Sequence, residues 1–270
     1  SSGFYLALAK TVFTDMVFSV WILLAILAFF WGYVKTEHKG LSIILFFLCA
    51  AFAVLTKGPL GIIIPLLTVI IFCGFRHELR YLRSWYTLGG IIIFIAVAFP
   101  WYIVMVKQYG IRFTDEFFYN DHIRRLLQAE HRGNDTWYFY PLIMLACTFP
   151  WSVFVPVSLF SLIRQRLTRK KPLYFLLQCW IGVVFIIFQL AHSKLSTYIF
   201  PFFPALALLV GDYVIYCAVI AKKSILYILF MLTWCILLLL PIGLLVSLAV
   251  FPGYICVKTP LYFFIVLFFC

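Results

Sequence analysis

Long apolar runs separated by short polar segments dominate the chain. The runs cover residues 16–33, 41–55, 60–74, 86–106, 137–162, 173–190, 199–217 and 225–249. Most of them approach the roughly 20 residues that an α-helix needs to cross a bilayer. The short alternating segments of a transmembrane β-barrel do not occur. The pattern therefore predicts an all-α fold, a polytopic transmembrane helical bundle.

Composition and charge support a membrane protein. The chain is 66% hydrophobic and 11% charged, with a mean hydropathy of +1.10, whereas soluble domains carry about a quarter charged residues. The net charge of +12 does not indicate a nucleic-acid partner, because the basic residues lie in short loops between apolar runs. The eight cysteines are scattered singly, without metal-binding spacing, as is typical of small packing residues.

Breaks in the apolar pattern predict turns and boundaries. Gly58 and Pro59 separate two runs and predict a tight reversal or a re-entrant corner. Pro100 is expected to break the 86–106 helix, and prolines within 137–162 to kink it. The chain begins at Ser and stops inside an apolar run. We therefore interpret 1–270 as a single transmembrane domain truncated at both ends.

Alternate loops carry most of the basic residues, which sets the predicted orientation. Twelve of them should lie on the cytoplasmic side: Lys35, Lys39, Arg76, Arg80, Arg83, Arg164, Arg166, Arg169, Lys170, Lys171, Lys222 and Lys223. The opposite side receives mixed charge, including most of the acids and histidine. We predict an integral protein of the bacterial inner membrane with its active face in the periplasm.

The outer juxtamembrane loop 107–136 is the longest polar segment. It holds five of the nine acids. Helical spacing over 113–130 would place Asp115, His122 and Arg125 on one side and apolar residues on the other. The loop is thus predicted to contain an amphipathic juxtamembrane helix. Its charges either form part of a site or only meet water and lipid headgroups.

Four isolated polar residues near helix ends are further site candidates. Asp15 is an acid at a membrane edge without an obvious partner in the sequence, which indicates either a functional group or a helix N-cap. Lys57 and Lys194 lie at helix breaks, where each either contacts a lipid phosphate or snorkels to the interface. Tyr198 is either an interfacial belt residue or a hydroxyl donor to a phosphate.

Four segments occur in an order that resembles a known family. They are TVFTDMVF at 11–18, LTKGPLGIIIPLL at 55–67, the stretch 99–151 with FPWYIVMV, FFYNDHIRRLL and WYFYPLIMLACTFPW, and HSKLSTYIFPFFPALALLVG at 192–211. This ordered set resembles glycosyltransferase family 39. The nearest branch comprises lipid A 4-amino-4-deoxy-L-arabinose transferases and related polyprenyl-phosphate-sugar transferases akin to protein O-mannosyltransferases.

The resemblance implies a membrane glycosyltransferase of the GT-C-like, multi-helix type. Its partners would be a polyprenyl-phosphate-linked sugar donor, a lipid (lipid A-like) or protein acceptor, and membrane lipids. No nucleotide-sugar site or glycine-rich phosphate loop is present, which suits a lipid-linked donor. The family's first outer loop, with its Asp-Glu pair, has no match and would precede Ser1, so the principal catalytic carboxylate is expected to be absent.

The resemblance also assigns roles to individual residues. Asp15 corresponds to the family's second acidic position and is the catalytic candidate. The candidates for binding the lipid phosphate or sugar are Lys57 of the Lys-Gly-Pro corner, His122 and Arg125 of a His-x-x-Arg motif, and Lys194 and Tyr198 of a Lys-Leu-x-x-Tyr motif. Leu126 stands where the family usually has Phe. No cofactor is certain; some relatives bind a divalent metal ion, for which His122 is the one candidate ligand.

Two other functions are alternatives to the enzyme. A transporter or lipid flippase should carry charged residues within its spans and should contain inverted repeats. The spans here are nearly free of charge and no repeat is found, which favours the glycosyltransferase. A non-catalytic structural membrane subunit would not require the polar loop 107–136.

Overall fold

The computed structural model describes residues 14–110, 113, 136–149, 151–165 and 172–219, with five single residues between 228 and 239. Every element among these residues is helical. The α-helices are α1 Thr14–Val34, α2 Lys39–Lys57, α3 Leu60–Phe75, α4 Trp85–Tyr109, α5 Phe139–Cys147, α6 Phe154–Gln165, α7 Pro172–Leu190 and α8 Phe203–Val219. Single 3₁₀ turns are formed by Thr36–His38, Leu79–Tyr81, Trp151–Val153 and Phe200–Phe202.

Four helical segments are long and apolar enough to cross a membrane. They are α1, α2 with its preceding turn, α4 and α7. Their charged residues lie near the ends, as with Asp15 in the first turn of α1 and Lys107 in the last turn of α4. α3, with 16 residues, is shorter than these four.

The described helices group into two compact units. The larger unit falls within Phe13–Tyr140 and Gln165–Leu206, and the smaller within Pro141–Arg164 and from Ala207 onward. In the smaller unit, the buried Phe154 faces the ring of Tyr213 at a centroid distance of 6.5 Å. The prediction of a single domain over 1–270 is not tested by this grouping and stays a prediction.

The core of the larger unit is built on one face of α1. Its buried residues recur three or four positions apart, so that they share one face of the helix: Phe18, Ile22, Ala25, Ile26 and Phe29. Val17, Val20 and Leu24, on other faces, are exposed. α1 packs on α2, α2 packs on α3 and α4, and α3 packs on α7. Because lipid is as apolar as these side chains, close packing is what holds such helices together.

The Lys-Gly-Pro corner is the tight reversal that the sequence predicts. α2 ends at Lys57 and α3 begins at Leu60. Gly58 has a φ of 83° and donates its backbone N–H to the Val54 carbonyl over 2.7 Å. A side chain is strained at that φ, so glycine suits this position. The two helices leave the corner in contact with each other.

The two apolar runs that contain prolines, 86–106 and 137–162, differ in the structure. The prediction that Pro100 breaks its helix is wrong, because α4 continues unbroken from Trp85 to Tyr109 with Pro100 inside it. Proline removes one backbone donor, and an otherwise apolar transmembrane helix tolerates this loss. The 137–162 run, by contrast, is not one helix: α5 ends at Cys147, a 3₁₀ turn covers Trp151–Val153, and α6 begins at Phe154.

Candidate functional site

An ion pair joins the start of α1 to the end of α2. The carboxylate of Asp15 accepts a hydrogen bond from Lys57 Nζ, 42 residues away in the sequence. Asp15 is 7% exposed, and the Lys57 side chain is 22% exposed. A charge at such a position requires an opposite charge or strong hydrogen bonds. The structure therefore supplies the partner for Asp15 that was not evident in the sequence.

Tyr198 completes this arrangement. Lys57 Nζ lies 4.4 Å from the centroid of the Tyr198 ring and 5.8 Å from that of Phe18. Both distances are short enough for cation–π attraction. Phe188 in turn packs 6.1 Å from the Tyr198 ring. We call Asp15, Lys57 and Tyr198 the outer triad; its members come from three separate parts of the chain.

Lys194 is the second basic residue at this end of the unit. It is 4% exposed, and its Nζ donates to the backbone carbonyl of Thr136 over 3.1 Å. A lysine that snorkels would keep its ammonium in water, so this geometry does not fit the snorkelling alternative. The contact joins the 191–198 turn to the last residue of the outer loop 107–136.

Two more side-chain hydrogen bonds lie close to this contact in the sequence and join residues 137–140 to residues 189–195. Gln189 Nε2 donates to the Trp137 carbonyl over 3.1 Å, and the Tyr140 hydroxyl donates to the Leu195 carbonyl over 3.3 Å. Together with Lys194 they form what we call the clasp. The sequence analysis missed Gln189 and Tyr140. The available signal was Gln189 itself, one of two glutamines in the largely apolar α7.

Thr197 is a further residue that the sequence analysis missed. It lies between Lys194 and Tyr198, is 8% exposed, and its buried hydroxyl has no hydrogen-bond partner among the described residues. Buried polar atoms are nearly always paired, and exceptions call for an explanation. This hydroxyl is a candidate contact for a polar ligand.

His122 and Arg125, with the predicted amphipathic helix of the outer loop, lie outside the described residues. Their assignment therefore stays a prediction. Within the described part of the chain, no three His, Cys, Asp or Glu side chains come together as a metal site would require. The metal prediction rests on His122 and likewise stays a prediction.

The arrangement brings together the groups that phosphate and sugar chemistry use. Lysine ammonium groups bind phosphate through charge-assisted hydrogen bonds. A carboxylate such as that of Asp15 accepts hydrogen bonds from sugar hydroxyls, and an aromatic ring such as that of Tyr198 presents an apolar surface. The site therefore combines cation, anion and ring at one end of a membrane-spanning helix bundle.

Comparisons with known proteins identify relatives of the chain. No family model matches the chain. It is 30% identical over 208 residues, 76% of this chain, to the undecaprenyl phosphate-alpha-4-amino-4-deoxy-L-arabinose arabinosyl transferase 2 of Proteus mirabilis. It is 32% identical over 163 residues to an uncharacterised protein of Aquifex aeolicus. The chain covers 36% of the length of each of these relatives.

Two solved structures of one protein have a fold similar to that of this chain. ArnT from Cupriavidus metallidurans bound to undecaprenyl phosphate matches with a TM-score of 0.70 at 19% identity, over 96% of this chain and 45% of that protein. The apo structure of the same protein matches with a TM-score of 0.68. The predicted fold class, an all-α polytopic transmembrane bundle, is thereby confirmed. The chain is a relative in sequence of the undecaprenyl phosphate-alpha-4-amino-4-deoxy-L-arabinose arabinosyl transferases and shares the fold of ArnT.

Proposed function

We propose that this chain is part of an integral-membrane glycosyltransferase of the bacterial inner membrane. The enzyme moves a sugar from a polyprenyl-phosphate donor to a lipid acceptor such as lipid A, or to a protein, on the periplasmic side. Its relatives are named for undecaprenyl phosphate-linked aminoarabinose, and ArnT was solved with undecaprenyl phosphate. These names favour that donor class and that sugar.

The outer triad is the observation that carries this proposal. Asp15, Lys57 and Tyr198 belong to three of the four segments by which the sequence resembles glycosyltransferase family 39. They are distant in the sequence, yet the structure brings them into contact. A shared site would require this convergence, whereas three separate interfacial residues would not.

The chemistry follows from the residue types. In sugar transfer, the bond from the anomeric carbon to the donor phosphate oxygen breaks, and a bond from the acceptor oxygen to that carbon forms. The polyprenyl phosphate leaves with added negative charge, which cations such as Lys194 and Arg125 stabilise. The acceptor hydroxyl loses its proton to a base. Asp15, held in place by Lys57, orients or deprotonates that hydroxyl.

The test is Lys194→Met in the full-length protein. Methionine keeps the apolar stem that fills the buried position but removes the charge. Transfer of aminoarabinose from its undecaprenyl phosphate donor to lipid A should fall by about 100-fold, the loss typical of removing one group that stabilises developing charge. Mass spectrometry of the lipid product measures the rate.

Lys35→Met is the matched control, because Lys35 is an exposed lysine on a loop assigned to the cytoplasmic side. It should leave transfer unchanged. The amount of each variant in the membrane fraction reports insertion, which should be equal for both. Unchanged transfer in both Lys194→Met and Arg125→Ala would contradict the proposed roles of these cations.

A transporter or lipid flippase remains the alternative function. Such proteins place ionisable groups within their spans. In the four described spans the charged residues lie near the helix ends, where a reaction at the membrane surface would use them. This distribution favours the enzyme.

A further inference from the structure

The larger unit carries a second group of charged and aromatic side chains at the end remote from the outer triad. Tyr33 is near the end of α1, whereas Asp15 is in its first turn. Lys39 Nζ lies 4.4 Å from the centroid of the Tyr81 ring, and Arg76 Cζ lies 5.7 Å from that of Tyr33. The two tyrosine rings are 6.0 Å apart. We call these four residues the inner cluster.

Folding brings the inner cluster together from separate loops. The first cytoplasmic loop precedes Lys39, and the second contains Arg76 and Tyr81. Together, 35–39 and 76–83 hold five basic and two acidic residues. Loop basicity alone would place positive charge on this side of the membrane. Loop basicity would not, however, require Lys39 and Arg76 to pack against two neighbouring tyrosine rings.

Arg76 has donor capacity that the described protein does not use. Its Nε is buried and has no hydrogen-bond partner among the described residues. Its Nη2 is 3.5 Å from Glu78 Oε1, and 26% of the side chain remains exposed. A guanidinium has five N–H donors, so the exposed part of this side chain can donate to an external acceptor while Nη2 stays near Glu78. Lys39 forms no ion pair with a carboxylate in the part of the chain that the structure describes.

Neighbouring residues place the cluster at the level of lipid headgroups. Trp85, at the start of α4, is 85% exposed, and Tyr86 beside it is also exposed. Tryptophan and tyrosine at helix ends are typical of the membrane interface. Lys35, Arg80 and Arg83 are exposed nearby in the sequence. A ligand at this depth would be the headgroup of a lipid in the cytoplasmic leaflet.

We propose that Lys39 and Arg76 bind the phosphate of an anionic phospholipid headgroup. Arginine and lysine donate charge-assisted hydrogen bonds to phosphate oxygens, and basic pockets between helix ends on the cytoplasmic side hold anionic headgroups. The tyrosine rings fix the two cations from the protein side. This site is separate from the outer triad and does not depend on the proposed sugar transfer.

Native mass spectrometry of the delipidated full-length protein tests the site. The protein in detergent is offered phosphatidylglycerol and phosphatidylcholine at equal concentration. The unchanged protein should retain phosphatidylglycerol preferentially. Lys39→Gln combined with Arg76→Gln should reduce that preference by about 30-fold, as expected for two lost cations near a lipid phosphate.

Lys35→Gln combined with Arg80→Gln is the matched control. It removes the same charge from the same loops, at exposed positions outside the inner cluster, and should change the preference by less than about twofold because exposed charges are well screened. Equal losses in the two double variants would overturn the proposal in favour of diffuse loop charge. No preference in the unchanged protein would overturn it as well.

A second measurement does not depend on how the variants fold. Phosphatidylglycerol with a photoreactive headgroup is crosslinked to the unchanged protein, and the modified peptides are identified. The expected crosslinks fall within 33–39 and 76–83. Crosslinks confined to other segments would overturn the site.

Discussion

Asp15 and Lys57 form an ion pair at the outer end of the larger unit. Each charge is partly withdrawn from water, and each has the other as its counter-ion. Removing one partner of such a pair leaves a charge without compensation, which costs more than the intact pair contributes. The pair therefore holds the start of α1 against the end of α2.

A double-mutant cycle on this pair gives the first prediction. Asp15→Asn and Lys57→Met should each lower the free energy of unfolding, and the double variant should lose less than the sum. We expect a coupling energy of about 1–3 kcal/mol. Chemical denaturation in one detergent, followed by circular dichroism, measures it.

The exposed pair of Glu37 and His38 is the control for that cycle. Their side chains are 3.4 Å apart, and Glu37 is 72% exposed. Glu37→Gln and His38→Gln should be additive to within about 0.5 kcal/mol, because exposed pairs contribute little. Additivity at Asp15 and Lys57 as well would show that their contact does not stabilise the fold.

The corner between α2 and α3 is the element on which the outer triad depends. A Cβ added at Gly61 would lie 2.4 Å from the Ala53 carbonyl carbon and from the Val54 nitrogen. The two helix backbones therefore approach closely only because this residue is glycine. Tyr102 of α4 donates its hydroxyl to the Val54 carbonyl over 3.0 Å, which ties a third helix to the corner that positions Lys57.

Gly61→Ala tests this close approach. The methyl group meets backbone, which cannot rotate away, so α2 and α3 must separate. Overpacking of this kind costs about 1–3 kcal/mol, and the temperature of unfolding should fall. Gly74→Ala in the same helix is the control: no atom lies within 4 Å of its added Cβ, and alanine has the higher helix propensity. Gly61→Ala unfolding at or above the temperature of Gly74→Ala would contradict the packing described.

Hydrophobic patterning predicts the helices well because the signal for a span is local. The run 173–190 corresponds to α7, and 60–74 corresponds to α3, within about one residue at each end. Pro100 shows where local reasoning fails. Its intrinsic effect on a helix is unfavourable, yet the long apolar run around it keeps α4 helical despite one lost hydrogen bond.

Tertiary contacts were much harder to predict than helices. Nothing in the spacing of Asp15 and Lys57 specifies that they meet, since their approach depends on how α1 packs on α2. The acceptor of the Lys194 hydrogen bond is a backbone carbonyl. Every residue has such a group, so the sequence does not indicate which one Lys194 contacts. Thr197 is recognised only from its burial. The resemblance selected Asp15, Lys57 and Tyr198, but their contacts required the fold.

At the scale of the whole molecule, the larger unit has two chemically different ends. The outer end combines the outer triad and the clasp, whereas the inner end has basic loops and a tyrosine pair. An apolar bundle separates them. This difference between the two ends suits the two proposals above. The inner end would anchor the protein to one leaflet, and the outer end would act on a lipid-linked donor at the opposite surface.

The central claim is that the donor sugar is carried by a polyprenyl phosphate. The most direct measurement offers the full-length protein in proteoliposomes the same aminoarabinose on undecaprenyl phosphate or on a uridine diphosphate, with lipid A as acceptor. Mass spectrometry of lipid A follows the product. The account predicts modified lipid A with the undecaprenyl phosphate donor and none with the nucleotide donor. Transfer from the nucleotide donor, or from neither donor, would contradict it.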